Sequence, residues 1–317
     1  MNIKEELYME LRCPICCGHL LEAERFLACQ NKSCQKKFPI VNGIPILINE
    51  EKSVFYIQDF INQKETTFDL NKSKLHAFAR RIVPSISNNI KAKANYNKLL
   101  TLLINNSSKS KVLVIGGSIL GEGMEEILSA PNITLVESDV SFGPRTQIIF
   151  DAHNIPFSDN FFDCVIIQAV LEHVVDPFRC IKEVHRVLKM NGLVYAETPF
   201  MQQVHMGRYD FHRFTHLGHR RLFREFGEID SGAVCGPGMS LAWAYSHFVF
   251  SFFSSKKLRK LLIPFTSFTS FFWKYFDYLL INKPGALDAA SGYFFMGKKA
   301  QYPLDDRDLL KQYRGLL

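Results

Sequence analysis

Cysteines, glycines, acids and histidines stand in this chain at spacings that suit three kinds of chemistry. Cys13-Pro-Ile-Cys16 is followed by Cys29 and Cys34, a C-x2-C and a C-x4-C pair. Four thiolates so spaced suit tetrahedral zinc and leave no open position for a catalytic water, so the expected ion is structural. The plainer alternative is an adventitious cluster, and Cys17 reads as a bystander. Gly116, Gly117, Gly121 and Gly123 follow the apolar run Val112–Ile115 and let backbone approach a ligand closely. Val136-Glu-Ser-Asp139 ends the next apolar run, where a carboxylate can accept both hydroxyls of a ribose. Asp139 is the first choice and Glu137 the reserve; a solvated acid at a strand end is the alternative for either. Asp151 follows a third run, and His205, Asp210, His212 and Arg213 follow a fifth. An imidazole in that last segment could serve as a base for an acceptor that must lose a proton.

Five runs rich in Val, Ile, Leu and Phe must position these groups: Val112–Ile115, Ile133–Val136, Gln147–Phe150, Asp163–Gln168 and Leu193–Glu197. They are apolar on both faces and alternate with helix-length segments, the first at Glu122–Ser129, which predicts a parallel sheet covered on both sides. Its ligand belongs at the carboxyl ends of the strands, near the reversal of strand order. The cysteine module, residues 1–50, reads as a ribbon with strands at His19–Glu22 and Arg25–Cys29. Residues 51–110 read as a connector with helices at Phe55–Gln63, Ser73–Ile82 and Ile86–Ile104, which either cap the site, with Tyr96 near the ligand, or simply pack on the sheet. Residues 111–236 form the core, with a helix expected at Thr215–Phe226.

Residues 237–317 contain two Phe-rich segments, Leu241–Phe253 and Leu261–Trp273, split by Ser254-Ser-Lys-Lys-Leu-Arg-Lys260. Neither reaches the ~20 apolar residues of a spanning helix, and Pro264 interrupts the second. Aromatics flanked by lysine and arginine suit a helix at a membrane surface or a greasy lid over a lipid-like acceptor; burial in the domain or a dimer is the alternative. Ala289–Lys298 reads as a returning edge strand that completes the sheet.

The 317 residues carry a net charge of +7, which permits an anionic partner without demanding one, since no block of five or six basic residues occurs. Eight cysteines and a first segment without a basic and apolar leader pattern fit a reducing compartment, the cytoplasm, with the inner face of the membrane as a second location.

Asp151-Ala-His-Asn-Ile-Pro-Phe157, Phe161-Phe-Asp163, Val170-Leu-Glu-His173, Glu183–Leu188, Asn191-Gly192 and Thr198-Pro199 follow one another at fixed spacings. In this the stretch from Lys111 to Gly227 resembles class I S-adenosylmethionine-dependent methyltransferases of the type 11 group. The resemblance implies a Rossmann-like α/β fold with a seven-stranded, mostly parallel sheet. It implies that Asp151 meets the adenine amino group, that the Ala152 N–H faces the ring, and that Gln168 lies beside the methionine portion. The family's acid is replaced here by Val114, its tighter glycine pattern by Gly116-Gly-Ser-Ile-Leu-Gly121, and its proline before Asn191-Gly192 by Met190. The ribbon, ending in Phe38-Pro-Ile-Val-Asn-Gly-Ile-Pro-Ile-Leu47, resembles the small zinc-ribbon activators of tRNA and protein methyltransferases.

The expected function is therefore methyl transfer from S-adenosylmethionine to oxygen or nitrogen of a small, glycan or lipid-linked acceptor. His205 is the first candidate base, with His212 and His173 behind it. Alternatively Asp210 and Arg213 are an ion pair that only holds the loop. Two rivals stand beside this reading. One is an RNA methyltransferase that grips nucleic acid with the ribbon, against which the ribbon offers few basic residues beyond Lys32, Lys36 and Lys37. The other is a scaffold whose cofactor site has decayed.

Overall fold

The computed structural model describes residues 5–64 and 82–316, so the helix expected over Ser73–Ile82 falls outside the described residues apart from its end. Its strands are β1 (Leu20–Ala23), β2 (Phe26–Cys29), β3 (Lys37–Val41), β4 (Ile44–Leu47), β5 (Ser110–Ile115), β6 (Ile133–Asp139), β7 (Ile148–Phe150), β8 (Phe162–Gln168), β9 (Leu188–Pro199), β10 (Phe226–Cys235) and β11 (Gly292–Lys299). They form one sheet in the order β1-β2-β3-β4-β7-β6-β5-β8-β9-β11-β10. The five strands β5 to β9 run parallel, as the doubly apolar runs predict.

Alternate residues of these strands enter opposite layers. Leu113, Ile115, Val165 and Ile167 join a core with Cys180, Ile181, Val184 and Val187 of the helix Pro177–Val187. Val112, Val114, Cys164 and Ile166 face the other layer, with Tyr96, Leu99 and Leu103 of the helix Ala92–Asn106. Each large side chain so buried stabilises by roughly 1.5–3 kcal/mol.

Several expectations need correction. The sheet has eleven strands rather than seven, because the four strands of the ribbon join it: β4 pairs in parallel with β7, Ile46 opposite Ile149 and Leu47 opposite Phe150. All four residues of β4 are buried, so the ribbon's last strand is itself a core strand. The C-terminal strand β11 is no edge; it lies between β9 and β10, antiparallel to both. The edge is β10, which the sequence reading missed by running a helix on to Phe226; that helix is only His216–Leu222. The helix expected at Glu122–Ser129 shrinks to Glu125–Ser129, since Gly123 at φ +91 lies against the backbone of Ala92 and Lys93. Pro264 does not interrupt its segment but sits inside the helix Lys256–Ser270, which also absorbs the basic run.

The Phe-rich segment is closed on itself by a buried carboxylate and tied to the rest of the chain by contacts such as Trp243 Nε1 to Ser87 Oγ at 3.1 Å. Asp277, fully buried, accepts the backbone N–H groups of Gly238 (2.6 Å) and Met239 (2.9 Å) at the start of the helix Pro237–Ser251. A carboxylate there satisfies donors that a helix start leaves without partners.

Candidate functional site

Strand order reverses beside β5, which has β6 on one side and β8 on the other, and a cavity of about 340 Å³ opens at these strand ends. Gly116, Gly121, Asp139, Asp151, Ala152 and Gln168 line it, as does His173. Gly117 and Glu137 do not. The Gly117 N–H is spent on the Ser138 carbonyl (2.8 Å), and Glu137 turns to Arg145, which grips both of its oxygens at 2.7 Å.

Two glycines keep the cavity open. Gly116 holds φ +79, and a Cβ there would lie 2.3 Å from Val170 Cγ2. At Gly121 a Cβ would lie 1.8 Å from Gln168 Oε1. Both are places where backbone replaces the volume of a side chain. Ala169, also in the wall, adopts φ +55, a left-handed conformation uncommon outside glycine, which no sequence signal marked.

The two lining acids differ in setting. Asp139 accepts from the N–H groups of Ser118 (3.1 Å) and Val140 (2.7 Å) and from Ser141 Oγ (2.9 Å). Burial nevertheless raises its pKa above the usual carboxylate value, against those bonds. Asp151 accepts from Ser53 Oγ (2.5 Å) and from His153, through both its backbone N–H (3.0 Å) and Nδ1 (2.5 Å). The Asp176 N–H donates to His153 Nε2 at 3.0 Å, so the ring proton sits on Nδ1 and points at Asp151. Burial would raise the Asp151 pKa, but the His153 bonds outweigh it and the net shift is downward.

The floor holds a group that sequence reasoning passed over. Glu197, at the end of β9, is fully buried in the wall and accepts from Tyr195 Oη (2.6 Å) and Gln168 Nε2 (2.9 Å). Burial pushes its carboxyl up to about 7, against the bonds from Tyr195 and Gln168. Tyr96 donates to Gln168 Oε1 at 3.2 Å, so it positions that side chain without lining the cavity. The one available signal was an acid, Glu197, closing the run Leu193–Ala196.

Of the three histidines, only His173 reaches the cavity wall. Its Nδ1 faces the Tyr209 carbonyl (2.8 Å), and burial, then the nearby His205, lowers its pKa to about 4. His205 lies beyond it, the two ring centroids 4.9 Å apart. His212 is turned aside, its Nε2 on the Val175 carbonyl (3.1 Å) and its ring stacked on Phe214. Asp210 and Arg213 do form the ion pair that holds this loop, at 2.5 and 3.0 Å, and Arg213 also binds the Gln202, Gln203 and His212 carbonyls.

In the ribbon the sulfurs of Cys13, Cys16, Cys29 and Cys34 lie within 4.8 Å of one another, with Cys16–Cys29 at 3.4 Å and Cys13–Cys34 at 3.8 Å. Zinc–sulfur bonds of about 2.3 Å in a tetrahedron require sulfurs roughly 3.8 Å apart, so the donor set fits zinc. Cys17, exposed and at φ +58, stays outside the cluster.

A methyltransferase domain model matches residues 128–196. That span runs from the first core helix to β9 and holds Asp139, Asp151, Gln168 and His173. The demethylmenaquinone methyltransferase of Staphylococcus epidermidis is 39% identical over 77 residues, 24% of this chain and 27% of that protein. The ubiquinone/menaquinone biosynthesis C-methyltransferase UbiE of Haemophilus ducreyi is 45% identical over 81 residues, 23% of this chain and 31% of that protein. The chain thus spans about a third or less of the length of these relatives. Among solved structures, a phosphoethanolamine N-methyltransferase of Haemonchus contortus in complex with S-adenosyl-L-methionine covers 84% of this chain and 62% of its own, at 17% identity and a TM-score of 0.44.

Proposed function

We propose that the chain is an S-adenosylmethionine-dependent methyltransferase acting on a lipid-linked acceptor. The observation that carries the first half is the cavity: backbone at Gly116 and Gly121 where a Cβ would fill it, and two buried carboxylates, Asp139 and Asp151, along one wall. Asp139 would receive the ribose hydroxyls and Asp151 the adenine amino group, with Ala152 against the ring. Gln168 and Glu197 would face the methionine end. When bound, the cofactor supplies an electrophilic methyl group. The protein aligns the acceptor and excludes water, which are the main demands of such a transfer. A structural zinc ion held by the four cysteines completes the reading.

The lipid half rests on the surface of residues 237–280. Phe248, Phe252, Phe265, Phe268, Phe272 and Phe276 are all exposed, beside the basic run Lys256, Lys257, Arg259 and Lys260. Among the described residues no helix is long and apolar enough to cross a membrane. A basic rim with aromatic side chains suits the surface of an anionic bilayer. Quinones stand beside lipid-linked glycans as acceptors because the curated relatives carry quinone-biosynthesis names.

The test is transfer of labelled methyl from S-adenosylmethionine into membrane extracts, with the product separated by polarity and weighed by mass spectrometry. Label in an extractable lipid supports the reading. Label only in RNA would favour a nucleic-acid enzyme, and absence of both transfer and cofactor binding would favour a scaffold.

A further inference from the structure

We propose that Glu172, His173 and His205 form a second metal site, for a divalent transition ion, in the wall between the cavity and the loop after β9. The ligand atoms of the three residues lie within 4.8 Å of one another. Glu172 Oε1 is 3.5 Å from His173 Nε2 and 3.9 Å from His205 Nε2. Metal–ligand bonds of about 2.0–2.2 Å in a tetrahedron place donors roughly 3.4 Å apart, so small side-chain movements close the site.

Three features point to an ion rather than to packing. Glu172 is 1% exposed, and neither carboxylate oxygen has a hydrogen-bond partner among the described residues. A buried carboxylate without partners is costly, and a cation removes that cost. Both imidazoles also present the same nitrogen. His173 Nδ1 faces the Tyr209 carbonyl at 2.8 Å, and His205 Nδ1 faces the Gln203 carbonyl at 3.2 Å and Asp210 Oδ2 at 3.5 Å. Those acceptors put the ring protons on Nδ1 and leave both Nε2 atoms without a proton beside Glu172 Oε1. Outer carbonyl and carboxylate partners of this kind are what orient metal-binding histidines. Finally, the loop that supplies His205 is fastened to Glu172 itself, whose carbonyl accepts the N–H groups of Phe211 (2.7 Å) and His212 (3.1 Å).

Two imidazoles and a carboxylate suit zinc, iron(II) or manganese(II) and leave at least one coordination position open. His173 lines the cavity, so an oxygen of the acceptor can take that position. This role rests on the methyl-transfer reading; binding of the ion does not.

The test uses the full-length protein, dialysed against chelator and titrated with cobalt(II), followed by absorption and by metal content after dialysis. The expected result is an equivalent with ligand-field bands but without thiolate charge transfer, distinct from any cobalt at the cysteines. His205→Ala and Glu172→Gln should weaken that equivalent at least tenfold and leave the thiolate bands alone, whereas His212→Ala should change neither. His205 is exposed and Glu172→Gln keeps shape, so circular dichroism and melting can confirm both variants folded. Uptake confined to the cysteines, or an equivalent that survives both substitutions, overturns the site. Cofactor binding measured on the same samples reports on the methyltransferase reading separately.

Discussion

Gln168 donates through Nε2 to Glu197 Oε2 at 2.9 Å, joining the ends of two neighbouring parallel strands across the cavity floor. The bond ties a side chain expected beside the cofactor to an acid whose proton stays on until about pH 7. Unfolded, that acid releases its proton near 4.5. Between these values the folded chain binds more protons than the unfolded one, so this group's contribution to stability falls as pH rises from about 4.5 to 7 and is constant above. Glu197→Gln should remove that decline. Urea unfolding of both proteins at pH 5 and pH 8 should show a difference between them that changes by on the order of 3 kcal/mol. An identical pH dependence would place the raised pKa elsewhere.

The same acid should make cofactor affinity depend on pH. Ionised Glu197 favours a sulfonium cation, so S-adenosylmethionine should bind more tightly as pH rises through about 7, while S-adenosylhomocysteine, which lacks that charge, should not. Calorimetry across pH 6 to 8 in buffers of different ionisation enthalpy would reveal the proton released. Parallel curves for the two ligands would put the sulfonium away from Glu197.

Asp139→Ala should weaken S-adenosylmethionine at least tenfold, since a hydrogen bond to a charged group contributes about 1.5–3 kcal/mol. Calorimetric titration reads this directly. Glu137→Gln is the matched control, because Glu137 spends its carboxylate on Arg145 and lies outside the cavity lining. Unchanged binding by Asp139→Ala would remove it as a ribose ligand.

Gly121→Ala should also cost affinity. The new methyl would meet Gln168 Oε1 at 1.8 Å, and Gln168 is held by Tyr96 and Glu197, so the floor must rearrange. Overpacking of this kind costs about 1–3 kcal/mol. The expected outcome is a lower melting temperature with weaker cofactor binding, and a variant as stable and as tight as wild type would show that Gln168 swings away freely.

Removing the zinc proposed for the ribbon should be felt in the cofactor site. The Arg12 N–H donates to the Pro156 carbonyl and the Ser158 N–H to that of Glu10, both at 3.0 Å, while Leu47 pairs with Phe150. The ribbon thus grips the Asp151 segment before and after. Chelation or Cys16→Ser should lower the melting temperature and loosen cofactor binding together, read by differential scanning fluorimetry with and without S-adenosylmethionine. Loss of stability with affinity intact would make the ribbon an independent module.

The parallel strands were legible because runs such as Val112–Ile115 and Asp163–Gln168 are apolar on both faces, a pattern few other structures tolerate. The acids Asp139 and Asp151 were legible because they end such runs. Glu137, the reserve, lies outside the cavity lining: a period of two puts it on the face of Asp139, but Arg145, eight residues on, claims it. β10 was invisible because Phe226–Cys235 scatters Gly227, Glu228, Asp230, Ser231 and Gly232 among its apolar residues and so breaks any alternation, as an edge strand with bulges allows. Glu172 and Glu197 were passed over because burial of an acid depends on what packs around it, which no local pattern encodes.

The place of β11 carries a consequence for biogenesis. β9 ends at Pro199 and β10 at Cys235, yet the strand that joins them begins only at Gly292. As the chain leaves the ribosome, β9 and β10 cannot meet, and each offers a bare edge until the whole Phe-rich segment has been made. Such edges recruit foreign strands, and this interval coincides with the emergence of the stickiest residues in the chain. Synthesis is thus most exposed to aggregation until Gly292–Lys299 has emerged, and a chaperone or a nearby bilayer that shelters residues 237–280 would act in that interval.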